Sequence, residues 1–402
     1  MSVSAKSFEQ ALYSGADGLP QEISVASAQQ FIPAAVLDEI DRFITLFDRV
    51  TSRPAWVREA LALSPDASPT PGDEYCFFSA WDFHLPPGRP HDWQLIEFND
   101  NGSGFLFASR INRLRHRLML ADAPGIQAPE TERHLGQRIL AMIHEEARAL
   151  LTRPPGNGLL ILDDADSLKT GKFRDEHRRL AELVAKDGWR TVIATPQALV
   201  WTGSALKANG TAVDFVVNRS TDFLWQSSAF DALKQARKAG RVYVAPNPFS
   251  YATRSDKRLF AWLSRPERDN ELGILGDERA LFDAHVPATW CLTEANVEVL
   301  AARKHELVFK PAQRHAGLGV LDSRQVGRSR LRRLLARGEL YVAQQRVDKE
   351  VLEDDEGHRL WCDLRVWSWR DRRYLLSGRA SREPGRLDLQ SPGGWLATFA
   401  ID

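Results

Sequence analysis

The feature that most constrains the fold of this 402-residue chain is an alternation of apolar runs and polar segments of helical length between residues 157 and 250. GLLILDD (158–164) and TVIAT (191–195) are apolar runs typical of strands buried on both faces. The polar segment DEHRRLAELVAKDG between them has helical length and ends at Gly188. AVDFVVNR and RVYVAP, separated by DALKQARKAG, repeat the pattern. Strands alternating with helices predict a parallel sheet with helical crossovers.

The flanking segments have a different, α+β character. Apolar residues recur at helical spacing in 33–48 and 131–151, and a loop rich in Pro, Ser and Asp at 64–74 marks a boundary. YCFFSAWDFHL (75–85) and WQLIEFN (93–99) predict two strands of a hairpin, and CDLRVWSWRDRRYLLSGRAS (362–381) predicts another that turns at 370–372. ELVFK, GVLDS and YVAQQRVD are further predicted strands, and SRLRRLLARG is a predicted helix.

Composition narrows the class of protein. Fifty-three basic residues balance fifty-three acidic ones, so no overall field favours binding to nucleic acid or to an anionic membrane. Cys76, Cys291 and Cys362 are too few and too dispersed for a disulfide framework. The first residues lack the layout of a signal peptide, and no apolar run has the length of a membrane span. We therefore expect a cytoplasmic protein.

The segment VFKPAQRHAGLGVL (308–321) is a candidate phosphate-binding element. Lys310 ends a predicted strand, and Gly317 and Gly319 lie in the following loop. Glycines let backbone amides approach phosphate oxygens closely, and a lysine supplies a point charge. The alternative is a plain hairpin with a mobile glycine turn. The spacing matches neither the P-loop nor the Rossmann fingerprint.

Two further groups of charged residues are candidates for chemistry. Glu97 and Asn99 share a face of one predicted strand, and pairing with the preceding strand would bring Asp82 to that face. Such an oxygen-donor set suits Mg²⁺, although the same residues could form a solvated strand face. Arg365, Arg379 and Arg382 could neutralise a phosphoryl group or could be surface charges. The arginines of 324–337 surround an apolar stripe of Leu331, Leu334 and Leu335 and indicate a solvated helix.

Taken in order, the last 150 residues resemble the core of an ATP-grasp enzyme. The resemblance is carried by SDKR (255–258), HVPATW (285–290), LVFKPAQRHAGLGV (307–320), YVAQQRV (341–347) and the arginine-bearing strands of 362–382. The metal-binding motifs that would follow in that family stand near the other end instead, as WDFHL (81–85) and LIEFNDNGSG (95–104). This order resembles the circularly permuted synthetase domain of glutathionylspermidine synthetase, which also carries a Rossmann-like unit in the middle.

The resemblance implies roles for individual residues. Lys257 and Lys310 would contact ATP phosphates, Gly317 and Gly319 would cover them, and Gln344 and Gln345 would lie at the adenine hinge. Asp82, Glu97 and Asn99 would hold Mg²⁺, while Arg365 and Arg379 would stabilise the transferred phosphoryl group. The chain departs from the family at Ala80, where an arginine is frequent, and at Arg314 and His315, where the loop has smaller residues.

The resemblance therefore implies an ATP-dependent carboxylate–amine ligase working through an acyl-phosphate, with ATP and Mg²⁺ as cofactors. The substrates would be a small-molecule or peptide carboxylate and an amine acceptor. The alternatives are a catalytically degenerate ATP-binding sensor or scaffold and an ATP-grasp kinase. The predicted organisation is an N-terminal helical segment (1–70), permuted metal-binding strands (71–125), a Rossmann-like α/β unit (126–252) and a nucleotide-binding core (253–402).

Overall fold

A seven-stranded sheet joins the two ends of the chain in the computed structural model, which describes residues 5–15, 18–64, 67, 78–150, 156–314, 317–385 and 389–402. Most of the predicted boundary loop at 64–74, together with Cys76 and His315, lies outside the described residues. Within the described ranges, no helix is both long and apolar enough to cross a membrane.

The N-terminal segment contains helices α1 (Ala5–Tyr13), α2 (Ala34–Thr51) and α3 (Pro54–Leu63), together with a strand, β1 (Val25–Pro33), that was not predicted. The helix predicted over 33–48 is confirmed, and the apolar face of α2 is buried against the sheet. β1 escaped prediction because small and polar residues such as Ala26, Ala28 and Gln30 occupy its buried positions. It pairs in parallel with the last strand of the chain.

The predicted hairpin is confirmed as β2 (Ser79–His84) and β3 (Gln94–Asn99), which pair antiparallel. Residues 75–77 of the predicted first strand lie outside the described residues. Helix α4 (Phe105–Arg115) follows and continues as one π-helical turn (His116–Leu120), and the helix predicted over 131–151 is α5 (Glu132–Leu150).

Residues 158–245 contain the predicted parallel sheet. The elements are β4 (Gly158–Leu162), α6 (Ala165–Thr170), α7 (Arg174–Ala185), β5 (Arg190–Ala194), β6 (Leu199–Trp201), β7 (Leu206–Ala208), β8 (Thr211–Val213), β9 (Phe215–Asn218), α8 (Asp231–Lys238) and β10 (Tyr243–Ala245). Four strands pair in parallel in the order β10-β9-β4-β5. The small antiparallel sheet β6-β7-β8 was not predicted, because strands of three residues carry too little periodicity.

The last third supplies the remaining elements. These are α9 (Pro248–Ser250), α10 (Leu259–Leu263), α11 (Asp269–Leu272), α12 (Gly276–His285), β11 (Thr289–Cys291), α13 (Val297–Ala302), β12 (Leu307–Pro311), α14 (Arg328–Ala336), β13 (Tyr341–Gln345), β14 (Glu350–Glu353), β15 (Arg359–Trp369), β16 (Arg372–Ser381) and β17 (Gly394–Ile401). A three-stranded antiparallel sheet has the order β11-β13-β12. The strand predicted at GVLDS is wrong as a strand, because a single bridge between Phe309 and Leu321 joins it to β12.

The large sheet has the order β1-β17-β16-β15-β2-β3, with β14 paired to β15, and both of its faces are covered. Trp81 and Phe83 point into the apolar cluster that contains α2. The alternate side chains, from Ala80 on β2 and Trp367 on β15, join the cluster beneath α4 and the parallel sheet. Asp82 and Arg365 lie on this second face, so buried charges interrupt an otherwise apolar layer.

Candidate active site

Strand pairing creates a row of charged side chains across three neighbouring strands. Asp82 on β2 lies directly opposite Glu97 on β3 and, on its other side, directly opposite Arg365 on β15. Directly opposed residues of an antiparallel pair project from the same face of the sheet, so these three side chains are neighbours. Asp82 is only 3% exposed. The predicted approach of Asp82 to the face of Glu97 is confirmed.

Two arginines hold the Asp82 carboxylate. Arg365 Nε and Nη2 donate to Asp82 Oδ1 and Oδ2 at 2.6 and 2.7 Å. Arg379 Nη2 lies 2.9 Å from Asp82 Oδ2, and this arginine also donates to both oxygens of Asp363 at 3.1 and 2.6 Å. Burial acts to raise the pKa of Asp82, but the charges and hydrogen bonds of the two arginines outweigh it and hold the pKa well below its usual value. The predicted pair Arg365 and Arg379 therefore meets in one buried network, whereas Arg382 is exposed.

Two lysines lie on the other side of the acidic row. Lys257 Nζ lies 3.0 Å from Glu97 Oε1 and donates to the carbonyl oxygen of Arg314 at 2.7 Å. Lys310 Nζ donates to the carbonyl oxygen of Ile96 at 3.2 Å and to Gln344 Oε1 at 2.5 Å. Burial lowers the pKa of Lys310 to about 8, although the Glu97 carboxylate acts in the opposite direction. Lys257 thus connects the β2–β3 hairpin to the glycine-containing loop.

The loop after β12 has the backbone geometry that its glycines permit. Gly317 and Gly319 have φ angles of +70° and +78°, in the left-handed region. A Cβ at Gly319 would lie 2.9 Å from Pro311 Cγ, and the Tyr341 hydroxyl donates to the Gly319 carbonyl oxygen at 3.0 Å. Leu318, between the glycines, is 57% exposed. The loop is therefore folded back over the end of the strand that carries Lys310.

The two predicted hinge glutamines face in different directions. Gln344 is buried and bonded to Lys310, whereas Gln345 is exposed, because successive strand residues point to opposite faces. Gln345 lines a separate open groove of about 910 Å³ together with His285 and Asp348. The structure therefore brings only Gln344 into contact with the charged row.

The candidate metal ligands differ in their availability. Asp82 is committed to the arginines, and one oxygen of Glu97 is paired with Lys257. Asn99 lies two residues beyond Glu97 on the same strand, and its side-chain amide makes no hydrogen bond to any residue that the structure describes. Carboxylate and amide oxygens are ligands that Mg²⁺ accepts, so Glu97 and Asn99 fit the ion. No group of three or more His, Cys, Asp or Glu residues suited to a metal occurs in the described part of the chain.

Sequence reasoning missed four residues of this region. His84 follows Asp82 on the same face, and its Nδ1 lies 3.1 Å from the Val347 carbonyl oxygen. Burial holds the pKa of His84 well below its usual value, so the ring is neutral. Asp363 belongs to the group because it accepts two hydrogen bonds from Arg379. The charges of Asp363 and Arg379 act on Lys349, and the charges of Arg365 and Arg379 act on the exposed Lys172. The D-L-R spacing of 363–365 on a strand could have indicated Asp363, whereas nothing local singles out Lys172.

No protein-family profile matches the chain, and no curated protein sequence matches it either. Among solved structures, a glutathione synthetase-like effector from Globodera pallida in its apo form is similar, with a TM-score of 0.61 and 11% identity over 100% of this chain and 96% of that one. Two weaker similarities are a putative gamma-glutamylcysteine synthetase from Methylobacillus flagellatus (TM-score 0.47, 13% identity, 89% and 85% coverage) and an ATP-grasp ligase complexed with a minimal precursor (TM-score 0.30, 14% identity, 61% and 89% coverage). The chain thus has a mixed α/β fold that, over its whole length, resembles that of a glutathione synthetase-like protein.

Proposed function

We propose that this protein is an ATP-dependent ligase that joins a carboxylate to an amine through an acyl-phosphate. One observation carries the proposal: acids from residues 79–99 and arginines from residues 359–381 form one buried network beside Lys257 and Lys310. Asp82 and Arg365 are nearly 300 residues apart in sequence, and yet their opposite charges are paired in a buried position. Charged residues scattered over a surface would not be paired and buried in this way.

The proposed architecture is a circularly permuted ATP-grasp core with an inserted Rossmann-like unit. Two features support it. The hairpin β2–β3 pairs with β15 although the parallel sheet lies between them in sequence. In addition, the small β11-β13-β12 sheet carries Lys310 and Gln344 toward the same charged row.

In the proposed mechanism, Lys257 and Lys310 neutralise nucleotide phosphates, and the loop of Gly317 and Gly319 covers them. Glu97 and Asn99 would hold Mg²⁺, which supplies charge neutralisation for phosphoryl transfer. A carboxylate oxygen of the substrate takes the γ-phosphoryl group, and ADP leaves. Arg365, oriented by Asp82, stabilises the charge of the acyl-phosphate.

An amine then attacks the acyl carbon, the carbon–oxygen bond to phosphate breaks, and inorganic phosphate leaves with the electron pair. The nitrogen gives up a proton as the amide forms. Positioning and charge neutralisation are the main contributions of the protein, so no nucleophilic side chain is required.

One observation favours a second candidate, a degenerate ATP-binding sensor. Both oxygens of Asp82 and one oxygen of Glu97 are engaged by cationic side chains of the protein itself. A site neutralised in this way can hold nucleotide phosphates on its lysines without using a metal.

Calorimetric titration with a non-hydrolysable ATP analogue, with and without Mg²⁺, tests the proposal. We expect Mg²⁺-dependent binding that weakens in Lys310→Ala and in Glu97→Ala. The exposed Lys186 and Glu294 provide matched control variants, Lys186→Ala and Glu294→Ala, which should bind as the wild type does. Binding that ignores both Mg²⁺ and Glu97 would favour the sensor. No binding by folded protein would reject the proposal, and a phosphorylated product in place of an amide would indicate a kinase.

A further inference from the structure

One small part of the chain carries much more positive charge than the rest. Residues 289–345, which include α13, α14 and the β11-β13-β12 sheet, contain ten Lys and Arg but only five Asp and Glu, whereas the charges of the whole chain balance. Three of the five large apolar side chains that are exposed in the described residues belong to the same part, namely Val299, Leu318 and Leu340. Positive charge and exposed apolar groups therefore occur together outside the buried network of the candidate site.

Two faces of α14 are occupied by contacts within the protein. Arg328 and Arg332, four residues apart, pair with the two carboxylate oxygens of Glu298 on α13 at 3.0 and 2.6 Å. A second face, formed by Leu331 and Leu334, is buried in the apolar cluster of the small sheet. The structure of the protein itself accounts for the side chains on both of these faces.

The remaining face carries a row of arginines, Arg330, Arg333 and Arg337, which we call the arginine stripe. Intervals of three and four residues place these side chains in one row about 10 Å long, because an α-helix rises about 1.5 Å per residue. Arg333 and Arg337 are exposed, and no carboxylate of the residues that the structure describes pairs with any of the three. Interaction with the helix macrodipole is confined to the last turn, so it does not account for Arg330.

Two exposed leucines lie beside the end of the stripe. Leu340 follows the last residue of α14 by four positions and is 48% exposed. The next residue, Tyr341, donates its hydroxyl to the carbonyl oxygen of Gly319, and Leu318, which precedes that glycine, is exposed as well. The arginine stripe, Leu318 and Leu340 together form what we call the arginine–leucine surface, which adjoins the glycine-containing loop.

The composition of this surface selects the class of partner. Unpaired guanidinium groups favour carboxylates or phosphates, which accept their parallel N–H donors. A nucleic-acid backbone offers no apolar group to Leu318 and Leu340, and the zero net charge of the chain provides no long-range attraction for a polyanion. An acidic protein segment with interspersed apolar side chains supplies both kinds of contact.

We propose that the arginine–leucine surface binds an acidic, amphipathic segment of a partner protein. Carboxylates of that segment pair with Arg330, Arg333 and Arg337, while its apolar side chains cover Leu318 and Leu340. The surface lies outside the buried network of the candidate site, so this inference does not depend on the proposed function. Docking at this surface places the partner beside the glycine-containing loop.

Calorimetric titration of the full chain with a synthetic peptide at low ionic strength tests the assignment. The peptide presents glutamates and leucines at helical spacing on adjoining faces. The comparison probes are the same peptide with serine in place of every leucine and an oligothymidylate of equal charge. We expect the leucine peptide to bind, both comparison probes to bind at least about tenfold more weakly, and added salt to weaken binding of the peptide.

Two double variants of α14 locate the binding. Arg333→Gln combined with Arg337→Gln should weaken binding of the leucine peptide about tenfold, because two exposed ion pairs are lost. Arg328→Gln combined with Arg332→Gln removes the same charge from the face that contacts α13, and it should change the affinity by less than about twofold. Circular dichroism checks that each variant is folded.

Three results of these titrations would overturn the assignment. They are absence of binding of the leucine peptide by folded protein, binding of the oligothymidylate at least as tight as that of the peptide, and equal losses of affinity in the two double variants. Sedimentation analysis of the free protein adds a further test. Self-association that disappears in Arg333→Gln combined with Arg337→Gln would identify a second copy of the chain as the occupant and would also overturn the assignment.

Discussion

Replacing Lys310 with methionine tests whether the buried positive charge of Lys310 destabilises the folded protein. Lys310 is 9% exposed, and its pKa is about 8 instead of the 10.5 of an ordinary lysine. Between these pH values the folded protein is neutral at this position while the unfolded chain still binds a proton. Raising the pH through this window therefore stabilises the folded wild type, and the methionine variant has no such dependence.

The magnitude follows from the two pKa values. At about 1.4 kcal/mol for each pH unit, the free energy of unfolding of the wild type should rise by about 3 kcal/mol relative to Lys310→Met between pH 7 and pH 10. At pH 7 the variant loses two hydrogen bonds of Lys310, worth about 1 kcal/mol each, but it also escapes the cost of the buried charge. The variant should therefore be more stable than the wild type by about 1 kcal/mol at pH 7, and it should not bind the ATP analogue.

Urea unfolding followed by tryptophan fluorescence at pH 7, 8, 9 and 10 measures the difference, and other titrating groups cancel between the two proteins. Lys186→Met, at an exposed position, is the matched control and should differ from the wild type by a constant amount. A difference between the wild type and Lys310→Met that stays constant to within about 0.5 kcal/mol across this range would refute the reasoning.

Three further predictions concern single residues. Asp82→Asn should lower the free energy of unfolding by about 3 kcal/mol, because it leaves buried arginine charge unpaired, whereas the exposed Asp371→Asn should change it by less than about 0.5 kcal/mol. Equal effects in urea unfolding would contradict a buried network. Glu97→Gln should weaken Mg²⁺-dependent binding of the ATP analogue about tenfold in calorimetry and leave Mg²⁺-free binding unchanged. If binding by the variant depends on Mg²⁺ as strongly as binding by the wild type, Glu97 is not a metal ligand. Gly319→Ala should lower the free energy of unfolding by about 1–2 kcal/mol, because Gly319 has a positive φ. The control Gly276→Ala, at a helix start with open space around it, should leave the free energy of unfolding unchanged. An unchanged free energy of unfolding in Gly319→Ala would show that the loop adopts another conformation.

Local patterns predicted elements whose burial has a clear period. α2 and α5 follow from apolar residues at helical spacing, and the continuous apolar runs of β4 and β9 predicted the parallel sheet. The same reasoning placed Glu97 and Asn99 on one face of β3, because side chains alternate along a strand. Applied to β13, that alternation would also have separated Gln344 from Gln345.

Pairings between distant strands were not accessible in this way. β1 joins β17 from the opposite end of the chain, and its small buried residues give no apolar signal. The pairing of β2 with β15 joins Asp82 to Arg365, which is 283 residues away, and commits a predicted metal ligand to orienting an arginine.

The sequence by itself determined the helices and strands whose burial has a clear period, and it determined which residue types are available for phosphate and metal chemistry. Both depend on periodicity and side-chain character over a few residues. Only the tertiary structure decided which charges are partners. The energy of an ion pair depends on separation and burial, and both are set by strand order and register across the whole chain. For that reason the sequence alone could mark Asp82 as a candidate site residue, while its engagement by Arg365 and Arg379 became visible only once the large sheet was assembled.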